Sequence, residues 1–228
     1  MSLVRCRDLT RRYSDSGVQG VVAVDSVDLD VEPGTFVALE GPSGSGKTTL
    51  LGLLAGLEAP DRGEVSLLGH DLARLSSTDR ARLRQRQVGI VFQSFGLIAS
   101  LRARENVALP LMLAGVPARQ RDVRAQAVLE EVGLAGSGES RIDELSSGER
   151  QRVGVARALV IEPALILADE PTGSLDEENA QVILGLLWAA VRRRRSSLVL
   201  VTHDPASAAL ADRRLQMLDG RLTGGLPG

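Results

Sequence analysis

The sequence predicts an α/β protein with a parallel sheet at its centre and a helical block inserted into it. Three observations carry that expectation. A strand, a glycine- and serine-rich loop and an apolar helix follow one another over residues 35–57, the opening of a parallel α/β unit. Ala164 to Ala168 (ALILA) and Ser197 to Thr202 (SLVLVT) are short apolar runs, the mark of strands buried on both faces. Between them and the first unit, Arg104 to Val132 carries apolar residues three and four apart, the spacing of helices.

Taken in order, Val21 to Val31 alternates apolar and polar residues and reads as a strand, closed by a turn at Glu32-Pro33-Gly34. Thr35 to Glu40 (TFVALE) is a second strand, Gly41 to Gly46 a loop, and Thr48 to Leu57 a helix. Glu64 to Leu68 and Val88 to Phe92 read as further strands. The block of about residues 94–160 is helical, with ENVALPLMLAG followed by RQRDVRAQAVLEEVGL. After Ala164 to Ala168, the residues Val182, Ile183, Leu186, Leu187 and Ala190 line one face of another helix. Arg192 to Arg195 end that helix, where they complement the negative end of its dipole and face water. No internal repeat occurs, so the chain holds one such unit and not a tandem pair.

Composition excludes several classes. With 228 residues, 43% apolar and 25% charged, the chain is neither a disordered tail nor a disulfide scaffold. Its formal charge of −2 argues against a dedicated nucleic-acid binder, whose phosphate contacts need a positive surface. Cys6 stands alone, so no internal disulfide forms and a reducing compartment is expected. The segment MSLVRCRDLTRRYSD holds no apolar run fit for a signal peptide. No uninterrupted run approaches the roughly 18 apolar residues of a membrane span. A soluble cytoplasmic protein is therefore expected.

GPSGSGKT, Gly41 to Thr48, has the spacing of a phosphate-binding loop. Glycines let successive N–H groups converge on a phosphate, and the helix that opens beside Gly46 adds the positive end of its dipole. Lys47 is the only lysine in a chain whose other basic residues are arginine. A compact ammonium on a flexible stem does work that a planar guanidinium cannot. It would reach the β- and γ-phosphates while the Thr48 hydroxyl ligates Mg²⁺. A glycine-rich turn before a helix can also bind nothing, but here strand, helix and lone lysine agree. Guanine is an improbable base, since its Asn/Thr-Lys-x-Asp motif needs a second lysine. Asp169 and Glu170 close the apolar run ALILADE. An apolar strand would deliver Asp169 to Mg²⁺, and Glu170, facing the other way, would polarise a water.

Leu145-Ser146-Ser147-Gly148-Glu149, followed by RQRVGVARAL, resembles the LSGGQ signature of ABC transporter ATP-binding subunits. The resemblance runs from about residue 3 to 220. It implies the fold of that family: a phosphate-loop nucleoside-triphosphatase core, an N-terminal antiparallel β subdomain and an inserted helical subdomain. One such domain would fill residues 1–228, with its core at about 1–93 and 161–228 and the helical subdomain at about 94–160. It further implies that Tyr13 stacks on adenine and that Gly41, Pro42, Ser43, Gly44, Ser45, Gly46, Lys47, Thr48 and Thr49 hold the triphosphate. Gln93, the glutamine of the Q-loop, and Asp169 would join Thr48 at Mg²⁺. Ser146, Gly148 and Asp176 (in GSLD) would meet ATP across a head-to-tail dimer. Glu170 would be the base, with Lys47 and His203 (in VTHD) at the γ-phosphate. ATP, Mg²⁺, a second copy of the chain and a separate membrane permease are the implied partners.

Two departures stand out: Ser147 replaces a usual glycine and Glu149 a usual glutamine. Ser147 adds a β-carbon near the partner's γ-phosphate. Phe92, Phe95 and Leu97 flank Gln93 and either pack in the core or face a permease helix, and His70 is given no role. Val88 to Val116 resembles one branch of the family, the ATPases of lipoprotein-releasing, macrolide-efflux and peptide-antibiotic-resistance systems, with the cell-division ATPase nearby. The alternatives are a mechanotransmission or cell-division ABC ATPase, or a non-transport ABC ATPase acting on DNA or ribosomes. Non-transport ATPases of that kind carry long coiled-coil insertions or tandem cassettes, for which this chain has no room.

Overall fold

The computed structural model describes residues 2–13 and 20–227. Met1, Ser14 and Asp15 of the N-terminal segment read above lie outside the described residues. In chain order the elements begin with β1 (Val4–Tyr13), β2 (Val21–Val31), β3 (Phe36–Glu40) and α1 (Lys47–Leu54). Next come β4 (Arg62–Leu67), β5 (His70–Asp71), α2 (Ser77–Gln87), β6 (Val88–Val91), α3 (Ala103–Leu113) and α4 (Ala118–Glu131). The remainder is α5 (Ser147–Leu159), β7 (Leu165–Asp169), α6 (Glu177–Arg194), β8 (Ser197–Thr202), α7 (Pro205–Ala208), β9 (Arg213–Leu218) and β10 (Arg221–Pro227). Two compact units result, one of residues 1–84 with 197–228 and one of residues 85–196.

The first unit holds an antiparallel sheet in the order β2-β1-β4-β5. Its alternation puts Val27, Leu29 and Val31 inside and Asp28 outside, the pattern of a sheet with one wet face. In the same unit β3 lies parallel to β8 on one side and β9 on the other, and β10 folds back on β9. Phe36 to Leu39 and all of β8 are buried, which is why both runs are apolar without alternation. The α1 helix stops at Leu54 rather than Leu57. Gly56 turns left-handed at φ 62°, and Leu57 N–H bonds back to Gly52 O at 2.9 Å.

In the second unit β6 and β7 pair in parallel, Val88 with Leu165 through Val91 with Ala168. Helices α3, α4 and α5 pack together through Val107, Leu111, Ala125, Leu129, Val153 and Ala156, all buried. The helical spacing of residues 104–132 is two helices, because Gly115 adopts φ 76° just past the first and Pro117 stands at the N-cap of α4, where its missing N–H is no loss. Asn106 is fully buried in α3. It accepts a bond from Ile98 N–H at 2.8 Å and donates to the carbonyls of Ile98, Leu101 and Arg102 at 3.1 to 3.2 Å.

The arginine run needs one correction. Arg192, Arg193 and Arg195 are exposed at the end of α6, as its dipole favours. Arg194 instead turns inward, donating to Leu159 O at 3.0 Å and pairing with Glu131. Its stem is long enough to reach the neighbouring helices, and a carboxylate there receives it.

Asn106→Ala should lower stability by about 3 kcal/mol, since it strips partners from several backbone groups beside a buried side chain. Urea unfolding of the purified variant checks the figure, and a loss under about 1 kcal/mol would refute it.

Candidate functional site

The loop Gly41–Gly46 follows Glu40, the half-buried last residue of β3, and opens α1. Gly46 takes φ 101°, and a β-carbon there would stand 1.9 Å from Ala23 O. No other residue fits. Gly46 caps α1 without any side-chain hydrogen bond, so the first N–H groups of the helix are left for an external anion. Lys47 is 6% exposed. Its ammonium donates to Gly41 O at 2.8 Å and Pro42 O at 2.7 Å, with Ser45 Oγ at 3.4 Å. The charge is thereby already held across the loop, so little ordering remains before it meets a phosphate. Pro42, Ser43, Gly44 and Thr48 are exposed, Thr49 is half-buried in the first turn, and Ser45 is buried.

Tyr13 is the last residue of β1, paired with Val21, and so lies within the first hairpin. Its ring is 41% exposed. The hydroxyl donates to Glu58 Oε2 at 2.5 Å, and the Arg11 guanidinium stands 4.9 Å from the ring centre. One face of the ring is therefore covered by a cation. His203, also in this unit, follows β8 and is exposed. The cap of α7 is Asp204: its carboxylate accepts from Ala206 N–H at 3.1 Å and Ser207 N–H at 2.9 Å. The Ser207 hydroxyl, these amides and the nearby His203 hold the Asp204 carboxyl below the usual carboxylate range.

The second unit carries the other predicted residues. Asp169 ends β7 and Glu170 follows it at φ 42°. Strand alternation therefore does not set the Glu170 direction, as the sequence reading supposed. A left-handed turn aims it instead, a backbone state rare outside glycine and frequent at functional sites. A β-carbon on Gly173 would lie 3.1 Å from Gln93 Nε2 and 3.4 Å from Glu170 Oε2. Gln93 and Glu170 thus flank the same glycine.

Ser146 caps α5. Its hydroxyl accepts from Glu149 N–H at 3.2 Å, while Glu149 Oε2 accepts from Ser146 N–H at 2.9 Å and from its hydroxyl at 2.8 Å. This reciprocal pair is a capping box. The Ser146 backbone N–H, then its hydroxyl, lowers the Glu149 pKa. A glutamine at 149 would accept the same backbone bond. Ser147 is exposed at the first position of α5.

Asp176 caps α6 by accepting from Asn179 N–H at 2.8 Å. Asn179 also donates its amide to both Asp176 oxygens, at 2.9 and 3.0 Å. A β-carbon on Gly148 would come within 2.2 Å of Asn179 Oδ1. Asn179 therefore joins Asp176 to Gly148, bringing the starts of α5 and α6 together. Sequence reasoning missed Asn179, and no local pattern marks it. It also missed the capping box, which the spacing Ser146-x-x-Glu149 could have disclosed. Phe92 is exposed, and Phe95 and Leu97 are half-buried, so this segment is not simple core.

Residues 24–173 match the family described as ABC transporter. The lipoprotein-releasing system ATP-binding protein LolD of Chromohalobacter salexigens is 44% identical over 97% of this chain and 93% of its own length. LolD of Pseudomonas fluorescens is 43% identical over 97% of each. The pyoverdine export ATP-binding/permease protein PvdT of Pseudomonas aeruginosa is 42% identical over 96% of this chain, which spans 33% of that protein. Among solved structures, the dimeric ATP-binding cassette MJ0796 bound to ADP and Pi superimposes with a TM-score of 0.91 at 33% identity, covering 98% of both chains.

Gly148→Ala should displace Asn179 and lower stability by about 1 to 2 kcal/mol, the scale of broken polar contacts. Adding Asn179→Ala should restore part of it, because the obstructing atom is gone. Thermal melts of the three variants read this coupling, and strict additivity would contradict it.

Proposed function

We infer that this chain, which belongs to the ABC transporter family, is the ATP-hydrolysing subunit that drives a separate membrane permease. One observation carries the reading. A single chain holds both a lysine-bearing phosphate loop at the start of α1 and a capped signature at the start of α5, in a fold that matches a dimeric cassette along 98% of its length. Two copies placed head to tail would then enclose two ATP molecules. Each would lie between the phosphate loop of one copy and Ser146, Gly148 and Asp176 of the other.

The roles follow from the chemistry of the groups. Lys47 and the amides of the first turn of α1, including those of Thr48 and Thr49, neutralise the β- and γ-phosphate oxygens. Tyr13 stacks on adenine, an interaction of about 1–3 kcal/mol. Thr48, Gln93 and Asp169 offer a hydroxyl, an amide oxygen and a carboxylate, the hard oxygen donors that suit Mg²⁺. When bound, that ion neutralises charge developing on the phosphates. Glu170 accepts a hydrogen bond from the attacking water and aims it at the γ-phosphorus. His203 donates to a γ-phosphate oxygen.

Coupling to the permease is assigned to the helical block of about residues 94–160 and the loop before it. Phe92, Ile98, Met112, Leu113 and Val123 are all exposed large apolar residues there, and such patches mark interfaces. No helix among the described residues is long and apolar enough to cross a membrane. We place the chain on the cytoplasmic face, held there by its permease. In PvdT, an ATP-binding/permease protein, this chain matches one third of the length, which supports the same division of labour.

Purified chain should hydrolyse ATP slowly alone and faster with its permease in membrane vesicles. Equal rates would remove the coupling role. Glu170→Gln should retain ATP binding yet lose about 10²- to 10⁴-fold in rate, the scale of a positioned acid–base group. Its loss of negative charge should also let a dimer accumulate with ATP and Mg²⁺, read by light scattering. Hydrolysis at the parental rate would refute the base assignment.

A further inference from the structure

Gln151 takes no part in the machinery described above, yet it is completely buried in α5, two residues past the signature. Its amide nitrogen donates to Phe92 O at 3.2 Å and to Pro171 O at 2.7 Å. Phe92 immediately precedes Gln93, and Pro171 immediately follows Glu170. One side chain therefore grips the backbone beside both residues that flank Gly173.

The oxygen of the same amide, Oε1, is buried without a hydrogen-bond partner among the described residues. Burying an unpaired carbonyl is unfavourable, so packing alone would favour an apolar side chain at this position. The two carbonyls it holds explain why an amide stands there: only a group with two N–H bonds on one atom can serve both acceptors.

Other contacts from α5 hold the same loop. Arg157 donates to Gly96 O at 2.5 Å and Phe95 O at 3.1 Å, and Arg150 lies 5.6 Å from the Phe95 ring centre. The helix that begins with Ser146 and Gly148 is thus fastened to the Gln93 loop at three points, and to the Glu170 turn only through Gln151 among these contacts.

We propose that Gln151 is a positioning residue for hydrolysis. It transmits the placement of the signature helix to Gln93 and Glu170, so that displacement of α5 shifts the water-orienting group together with the Gln93 amide. This rests on the roles given above to Gln93 and Glu170. It adds that the two are set by one buried amide.

The test is steady-state ATP hydrolysis by the purified full chain carrying Gln151→Met, which fills similar volume without the N–H bonds. The expected result is a kcat lower by about tenfold to a hundredfold, the range of a sub-ångström to 1 Å misplacement at a reacting centre. KM for ATP should stay within about threefold, because the phosphate loop is untouched. Combined with Gln93→Ala, the losses should fall short of multiplying, since both act in part on one loop. Unchanged kcat, a rise in KM alone, or fully multiplicative losses would overturn the proposal. If Gln151→Met fails to melt cooperatively, Gln151→Asn is read by the same criteria, as it retains an amide on a shorter stem. Glu170→Gln is run alongside. Parental activity in that variant would refute the site reading itself, whereas an inactive Glu170→Gln beside a fully active Gln151→Met refutes only the role of Gln151.

Discussion

Every α-helix starts with N–H groups that its own turns cannot satisfy, and three helix starts in this protein settle that need differently. At α1 the cap is Gly46, which offers no side chain, and the open amides adjoin the ammonium of Lys47. At α5 the capping box of Ser146 and Glu149 satisfies two donors internally. At α6 Asp176 accepts from Asn179. The first start leaves its amides without a side-chain cap, whereas the other two are closed by hydrogen bonds of their own.

From this follows the importance of the α5 body. Gly148 has no room for a β-carbon because Asn179 presses on it, and Asn179 is held by Asp176. Further along, the same helix holds the Gln93 loop and the Glu170 turn. The start of α5 and the backbone beside Gln93 and Glu170 are therefore linked through one helix by direct hydrogen bonds. The left-handed backbone at Glu170 fits the same picture, since such a state persists where neighbouring contacts hold it.

The arginine-rich surface contributes by contrast. Pairs such as Arg5–Asp30 and Arg82–Asp79 are largely exposed and add little, as solvent screens them. Arg194 and Arg157 differ, because each donates to backbone carbonyls deep between elements. Guanidinium forks suit that task. The single ammonium is kept for the loop, where a compact charge must sit among carbonyl oxygens.

Patterns short in sequence were legible in advance. The apolar runs of β3, β7 and β8, the alternation of β2, the glycine loop and the signature all announce themselves within a few residues, because local periodicity and turn chemistry write them. The strands β9 and β10 were not legible: RRLQML and the segment after it carry weak patterns, and β9 is a strand because β3 offers it an edge. Nor was α2, a polar helix without one buried residue. At the site, the sequence by itself determined which chemical groups are present: Lys47, Asp169, Glu170, Ser146, Gly148 and Asp176. Tertiary structure alone decided how they are held. Arg11 covers one face of Tyr13, Asn179 wedges against Gly148, and Gln151 ties residues 92 and 171, pairs separated by 59 and 20 positions. Hydrogen bonds and close approaches over such separations leave no periodic trace, since they depend on which surfaces the packed elements bring together.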